Sequence, residues 1–195
     1  MRFTIKLKLA LAFAFLLILL LGTAGYGISS LSGINNTLET MVKGPVTRLE
    51  LVQKINVAAL QSIRQQKNVM AADSPAELQE SIKKGDLARE QLKKTLESAL
   101  LIASEQGRPR WLKIQDLSAK ADAVDDKIRA LMIAGSTAEA ERLSITEARA
   151  IANDLDAAVG ELITLSKQQL DEADASAEAS YASTSTIMIG VAAGA

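Results

Sequence analysis

Arg64 and Lys67 lie three residues apart, with Asn68 beside them. On a helix this spacing puts two cations and an amide on neighbouring positions of one face, a set suited to receiving a carboxylate. Arg64 falls about nine residues before the turn at Asp73-Ser74, roughly 13 Å down a helix. An equal descent from a second turn at Ser136 reaches Thr146 to Arg149. The expected site is therefore a carboxylate pocket high in a helical bundle, lined by Arg64, Lys67, Asn68, Thr146 and Arg149. The competing reading of the same residues is a solvated, charged helix face.

Other chemistries lack their residues. The chain of 195 residues has no Cys and no His, which removes disulfides, thiolate or imidazole zinc sites, and His-based acid–base catalysis. The paired carboxylates Asp125-Asp126 and Asp171-Glu172 are adjacent in sequence, so a helix should send them to different sides. No Gly-rich phosphate loop is present. We expect no metal, no cofactor and no enzyme. The formal net charge of −1 gives no nucleic-acid footprint.

The elements that must position the site are helices. Ser74-Pro75-Ala76-Glu77 reads as N-cap, N1 proline and N3 glutamate, and Ser136-x-x-Glu139 as a second capping box. Gly107 and Gly135 are placed to end helices, and Pro109 to open one. Between these signals the apolar residues recur at alternating three and four, as in Val52, Ile55, Ala59 or Trp111, Ile114, Leu117. Four helices follow, at about 29–73, 75–106, 109–134 and 137–186. Short connections force an up-down-up-down four-helix bundle, an all-α fold. The outer two helices, at roughly 45 to 50 residues and 70 Å, outrun the inner two at roughly 40 to 50 Å. Gly44-Pro45 interrupts the first and should kink it. Trp111, at the turn between the second and third helices, is expected to cap the core. Interior Gly85 and Gly160 carry no particular meaning in this reading.

The ends point to a membrane. Residues 9–21 are unbroken apolar sequence, extended without a charge to residue 28 and so long enough to span a bilayer, and Arg2, Lys6 and Lys8 before them predict that residues 1–8 lie in the cytoplasm. The rival is a cleaved signal peptide, with Thr23, Ala24 and Gly25 at the cleavage site. After an acidic stretch ending at Glu178, residues 187–195 read as the start of a second, truncated transmembrane helix, or else as a tail frayed in water. The long first and last helices are then continuous with transmembrane helices, and residues 29–186 lie outside the cytoplasm.

This layout resembles the N-terminal part of bacterial methyl-accepting chemotaxis proteins, with their four-helix-bundle periplasmic sensory domain. The stretch Val57-Ala-Ala-Leu-Gln-Ser-Ile-Arg64-Gln-Gln-Lys67-Asn68 is similar to the arginine-bearing part of that family's first helix, and Gly44-Pro45-Val46-x-x-Leu49 to a proline step upstream of it. The resemblance implies an inner-membrane homodimer and a missing cytoplasmic signalling region. It also implies a small-molecule ligand, with a carboxylate the expected group at Arg64, or a periplasmic binding protein as partner. Signal would pass by a small displacement of helix four relative to helix one. Sensor modules of histidine kinases or cyclic-dinucleotide enzymes share this build. A secreted structural or adaptor four-helix protein is the remaining alternative.

Overall fold

The computed structural model describes the backbone of residues 4–194 and the side chains from Thr4 to Gly190. Met1, Arg2 and Phe3, which belong to the expected cytoplasmic segment, lie outside the described residues, as does Ala195 of the expected second span. Every regular element among the described residues is helical: α1 (Ile5–Met41), a π turn (Val42–Val46), α2 (Thr47–Met70), α3 (Pro75–Leu101), α4 (Arg108–Ile133), α5 (Thr137–Ile145) and α6 (Glu147–Gly194). The chain divides into two compact units, Met1–Lys43 with Leu170–Ala195, and Gly44–Gln169.

The first unit holds α1 and the last part of α6. No α1 side chain is fully buried, and an 18-residue window of the α1–α2 helical run reaches a mean hydropathy of 2.4. This is a helix long and apolar enough to cross a membrane, by length and composition. Within the unit, Gly27 on α1 faces Met188 on α6; a Cβ at Gly27 would lie 3.7 Å from Met188 Cε.

The second unit is an all-α four-helix bundle: α2, α3, α4, and a fourth helix made of α5 and α6. Its core has two parts. The larger joins Val52, Ile55 and Ala59 of α2, Leu92, Leu96 and Ala99 of α3, Trp111, Ile114 and Leu117 of α4, and Leu155, Ala158 and Leu162 of α6. The smaller joins Val124 and Ile128 of α4, Ala140 of α5 and Ala148 of α6. Trp111 is fully buried in the larger cluster, capping it as its position at the α3–α4 turn suggests. On α3 the fully buried apolar residues begin at Leu92; the half of the helix before it meets α4 through charges instead.

Local chemistry explains the helix ends. Ser74 Oγ accepts the Glu77 amide at 3.3 Å, and Glu77 Oε2 accepts the Asp73 amide at 3.1 Å, so α3 opens on a working cap. At the other turn, Gly135 takes φ +77°, with its amide on Met132 O and the Ser136 amide on Leu131 O. That pair of bonds is a Schellman closure, which favours glycine because no Cβ opposes the left-handed backbone.

Several expectations need adjustment. Ser136 makes no side-chain cap: at ψ 57° it leaves the extended backbone that a capping hydroxyl requires, because its amide is committed to closing α4. Gly107 opens α4 as its N-cap instead of ending α3, which stops at Leu101; residues 102–107 form the turn. The expected kink at Pro45 takes the form of a π turn, in which the missing amide and the bulk of the ring are absorbed by a wider helical turn. The fourth helix is interrupted at Thr146, which stands at φ −105°, ψ −89°.

Candidate functional site

The expected site residues fall in two places. Arg64 and Asn68 line an open groove of about 950 Å³ between α2 and α3, together with Val57, Gln65, Leu87 and Gln91. Arg64 donates to Gln61 Oε1 at 2.6 Å, and Asn68 to Gln65 Oε1 at 3.0 Å. Lys67 and Arg149 line a different opening, of about 240 Å³, walled by α2, α4 and α6. Thr146 lines neither; it is exposed at the helix break, its hydroxyl donating to Arg142 O at 2.7 Å. Lys67 and Arg149 reach one opening, but on α2 Lys67 lies about 60° around the axis from Arg64, on the side away from Asn68, so the two cations face different neighbours.

The three-helix cavity has a distinct composition. Its apolar wall is Ile63, Ala121, Ala148, Ala152 and Leu155, with the amides of Gln66 and Asn153. Lys67 donates to the buried Ser144 Oγ at 2.8 Å, tying α2 to α5. Neither Lys67 nor Arg149 is held in an ion pair among the described residues, whereas Lys54, Lys84 and Lys94 each sit 2.6 Å from a glutamate one turn away. An anion entering this cavity meets cations not already neutralised by a neighbouring carboxylate.

One wall of the cavity belongs to a charge cluster that sequence reasoning missed. Asp125, 4% exposed, lines the cavity, and its Oδ2 accepts from Arg89 of α3 and from Arg129 Nη2 at 2.9 Å. Arg89 also meets Asp126 at 2.6 Å and Asp122 at 3.1 Å, and Arg129 meets Asp86. Asp125 and Asp126 therefore converge on one guanidinium despite pointing from different sides of α4, because Arg89 is long enough to span both. Burial raises the Asp122 carboxyl above its ordinary value, against the opposing pull of Arg89. Arg89 loses solvation, which lowers its pKa, but the hydrogen bond to Asp126 and the charges of Asp125 and Asp122 outweigh that and raise it.

Gly85 makes the cluster possible. It is buried on α3, and a Cβ there would lie 2.5 Å from Arg129 Nη2 and 3.5 Å from Gln65 Cβ. The available signal was in the heptad. The seam of α4 that runs Trp111, Ile114, Ser118, Ala121 reaches Asp125 next, a charged residue at a core position. No group of three or more metal-ligating side chains is assembled among the described residues.

Helices of this length, short turns, a divided core and small inter-helix cavities define the class: an all-α helical bundle. Within that class, residues 2–181 match the family described as the four helix bundle sensory module for signal transduction, and the chain belongs to that family. The match agrees with the sensory domain of methyl-accepting chemotaxis proteins anticipated from the sequence. No curated protein matches the chain.

Proposed function

We propose that this chain is the extracytoplasmic ligand-sensing part of a bacterial transmembrane chemoreceptor, with no enzymatic activity of its own. The N-terminus lies in the cytoplasm, α1 is anchored in the inner membrane, and the bundle faces the periplasm as part of a homodimer. The ligand is a small molecule bearing a carboxylate, bound directly at Lys67 and Arg149. The alternative in the same frame is a periplasmic binding protein that docks on the bundle.

The observation that carries this reading is the three-helix cavity. It brings Lys67 of α2 and Arg149 of α6 to one opening. A carboxylate shared between them shortens the distance between two helices that belong to the first and last stretches of the bundle. Signal then leaves as a displacement of α6 relative to α2, of the 1–2 Å order known for helix-shift switches. The family match supports sensing and signal transduction; the ligand class and the direction of movement are ours.

The test joins this module to a characterised cytoplasmic signalling region and measures output against a panel of small carboxylates. Some carboxylate should change output, and K67M combined with R149M should abolish the response while the protein stays in the membrane. Output indifferent to every periplasmic stimulus defeats the reading.

A further inference from the structure

Trp111, the chain's single tryptophan, is fully buried in the larger core cluster, and its indole Nε1 has no hydrogen-bond partner among the described residues. An indole N–H can only donate. Buried without an acceptor, it costs free energy that a nearby acceptor would recover.

Two acceptor atoms near it belong to Ser104, in the turn between α3 and α4. Ser104 Oγ and Trp111 Nε1 converge beside Gly107: a Cβ on that glycine would lie 2.9 Å from the first and 3.5 Å from the second, with Ser104 O at 3.7 Å. The Ser104 carbonyl is occupied, accepting from the amides of Gly107 at 3.0 Å and Arg108 at 2.8 Å. The hydroxyl is occupied too. Its oxygen accepts from the Gly107 amide at 3.1 Å and from Gln169 Nε2 of α6 at 3.0 Å, and its own proton faces Gln169 Oε1 at 3.4 Å. A hydroxyl has one proton and two lone pairs, so Ser104 has no place left for the indole.

These bonds differ in what would break them. The bond to Gly107 is internal to the turn and travels with it. The bonds to Gln169 cross to α6, so a displacement of α6 removes them and frees a lone pair close to the unpaired indole. Residues 102–107 lie outside the regular helices, which lets Ser104 adjust toward the ring.

We propose that Ser104 is a two-position hydrogen-bond switch: its hydroxyl serves Gln169 of α6 in this conformation and the indole of Trp111 once α6 has shifted. The bond gained at Trp111 offsets those lost at Gln169, so the two positions of α6 are close in free energy at this level of the bundle. The exchange also carries a movement of α6 into the core through the side chain that caps it. It rests on the functional reading only for what drives α6; the exchange of partners needs no ligand.

The lone tryptophan makes the switch readable. With nitrogen-15 at the indole of the full chain in detergent micelles, one indole resonance is recorded. In the unaltered protein its proton should sit at the upfield position of an unbonded N–H. Q169A removes the competing partner, so the proton should move downfield and exchange with deuterium about tenfold more slowly, the factor one ordinary hydrogen bond is worth. Q169A combined with S104A should return it to the unbonded position, and Q169A combined with S104T, which keeps a hydroxyl, should not. An indole proton already at the bonded position in the unaltered protein overturns the proposal without recourse to any variant. So does a downfield shift in Q169A that persists when Ser104 is replaced by alanine, or no shift in Q169A at all. Any of these results leaves the sensing reading untouched, because no stimulus enters the measurement.

Discussion

Position 85 shows how one missing methyl group organises this bundle. Replacing an interior helical glycine by alanine ordinarily gains up to about 1 kcal/mol. At Gly85 the added Cβ would strike the Arg129 guanidinium, which Asp86 and Asp125 hold in place. We expect G85A to lose about 1–2 kcal/mol net, because overpacking and a displaced buried charge outweigh the propensity gain. G160A, where a Cβ would meet nothing within 4 Å, should be neutral or stabilising by up to about 1 kcal/mol. Thermal unfolding followed by circular dichroism compares the two directly. Asp122 gives a pH signature at the same scale. Its carboxyl is raised in the folded state, so between the unfolded and folded values the native protein holds the proton and the unfolded chain does not. Stability from this group is fullest below the unfolded pKa and falls as pH rises through the folded one. D122N should remove that fall, flattening the melting temperature against pH across the carboxylate range; an unchanged profile contradicts the assignment.

Among the elements, the two turns at one end of the bundle are closed by different chemistry. The α2–α3 turn depends on side chains, Ser74 and Glu77, while the α4–α5 turn depends on backbone bonds and on the left-handed Gly135. S74A should therefore cost about 1 kcal/mol of stability. G135A should cost about 1–2 kcal/mol, through strain at positive φ. S136A should change little, since its hydroxyl caps nothing. Urea midpoints at constant m check all three variants. These contrasts also mark what was legible in the sequence. The apolar repeats named Val52, Ile55, Ala59, Trp111, Ile114 and Leu117 as core, and all six are buried in the larger cluster, because a three–four spacing has one way to face inward. Proline and glycine located the turns. The break at Thr146 had no signal of its own: no proline or glycine marks it. Of the candidate site, turn counting put Lys67 and Arg149 at the same level, where they line one opening, but it gave height without azimuth, and Arg64, Asn68 and Thr146 stand elsewhere. The Arg89–Asp125 cluster was misread because adjacent carboxylates were judged by their own directions and not by the reach of an arginine on the next helix.

For the molecule as a whole, the family match and an apolar N-terminal helix with mean hydropathy 2.4 are compatible with a membrane protein. If α1 is an anchor, the chain stays in the pellet after alkaline carbonate extraction, intact mass retains Met1 or Arg2, and removal of residues 1–28 frees it. Recovery of a mature form trimmed near Ala24 or Gly25 argues for secretion instead. The bundle unit itself is divided, with a broad apolar cluster around Trp111 and a smaller one around Ile128, beside α3 and α4 surfaces joined by charge. Such ion pairs contribute less net stability than apolar packing of equal volume. A nine-residue α5 adds little, being too short to persist unaided. Compliance is therefore graded along the bundle. The part around the cavity, with the smaller apolar cluster, should deform more readily than the part around Trp111. Amide exchange should reveal this order, with Thr137–Ile145 opening well before Val52–Ala59. Under the proposed reading, a detector built this way yields where it is touched and moves as one body where its motion must be handed on.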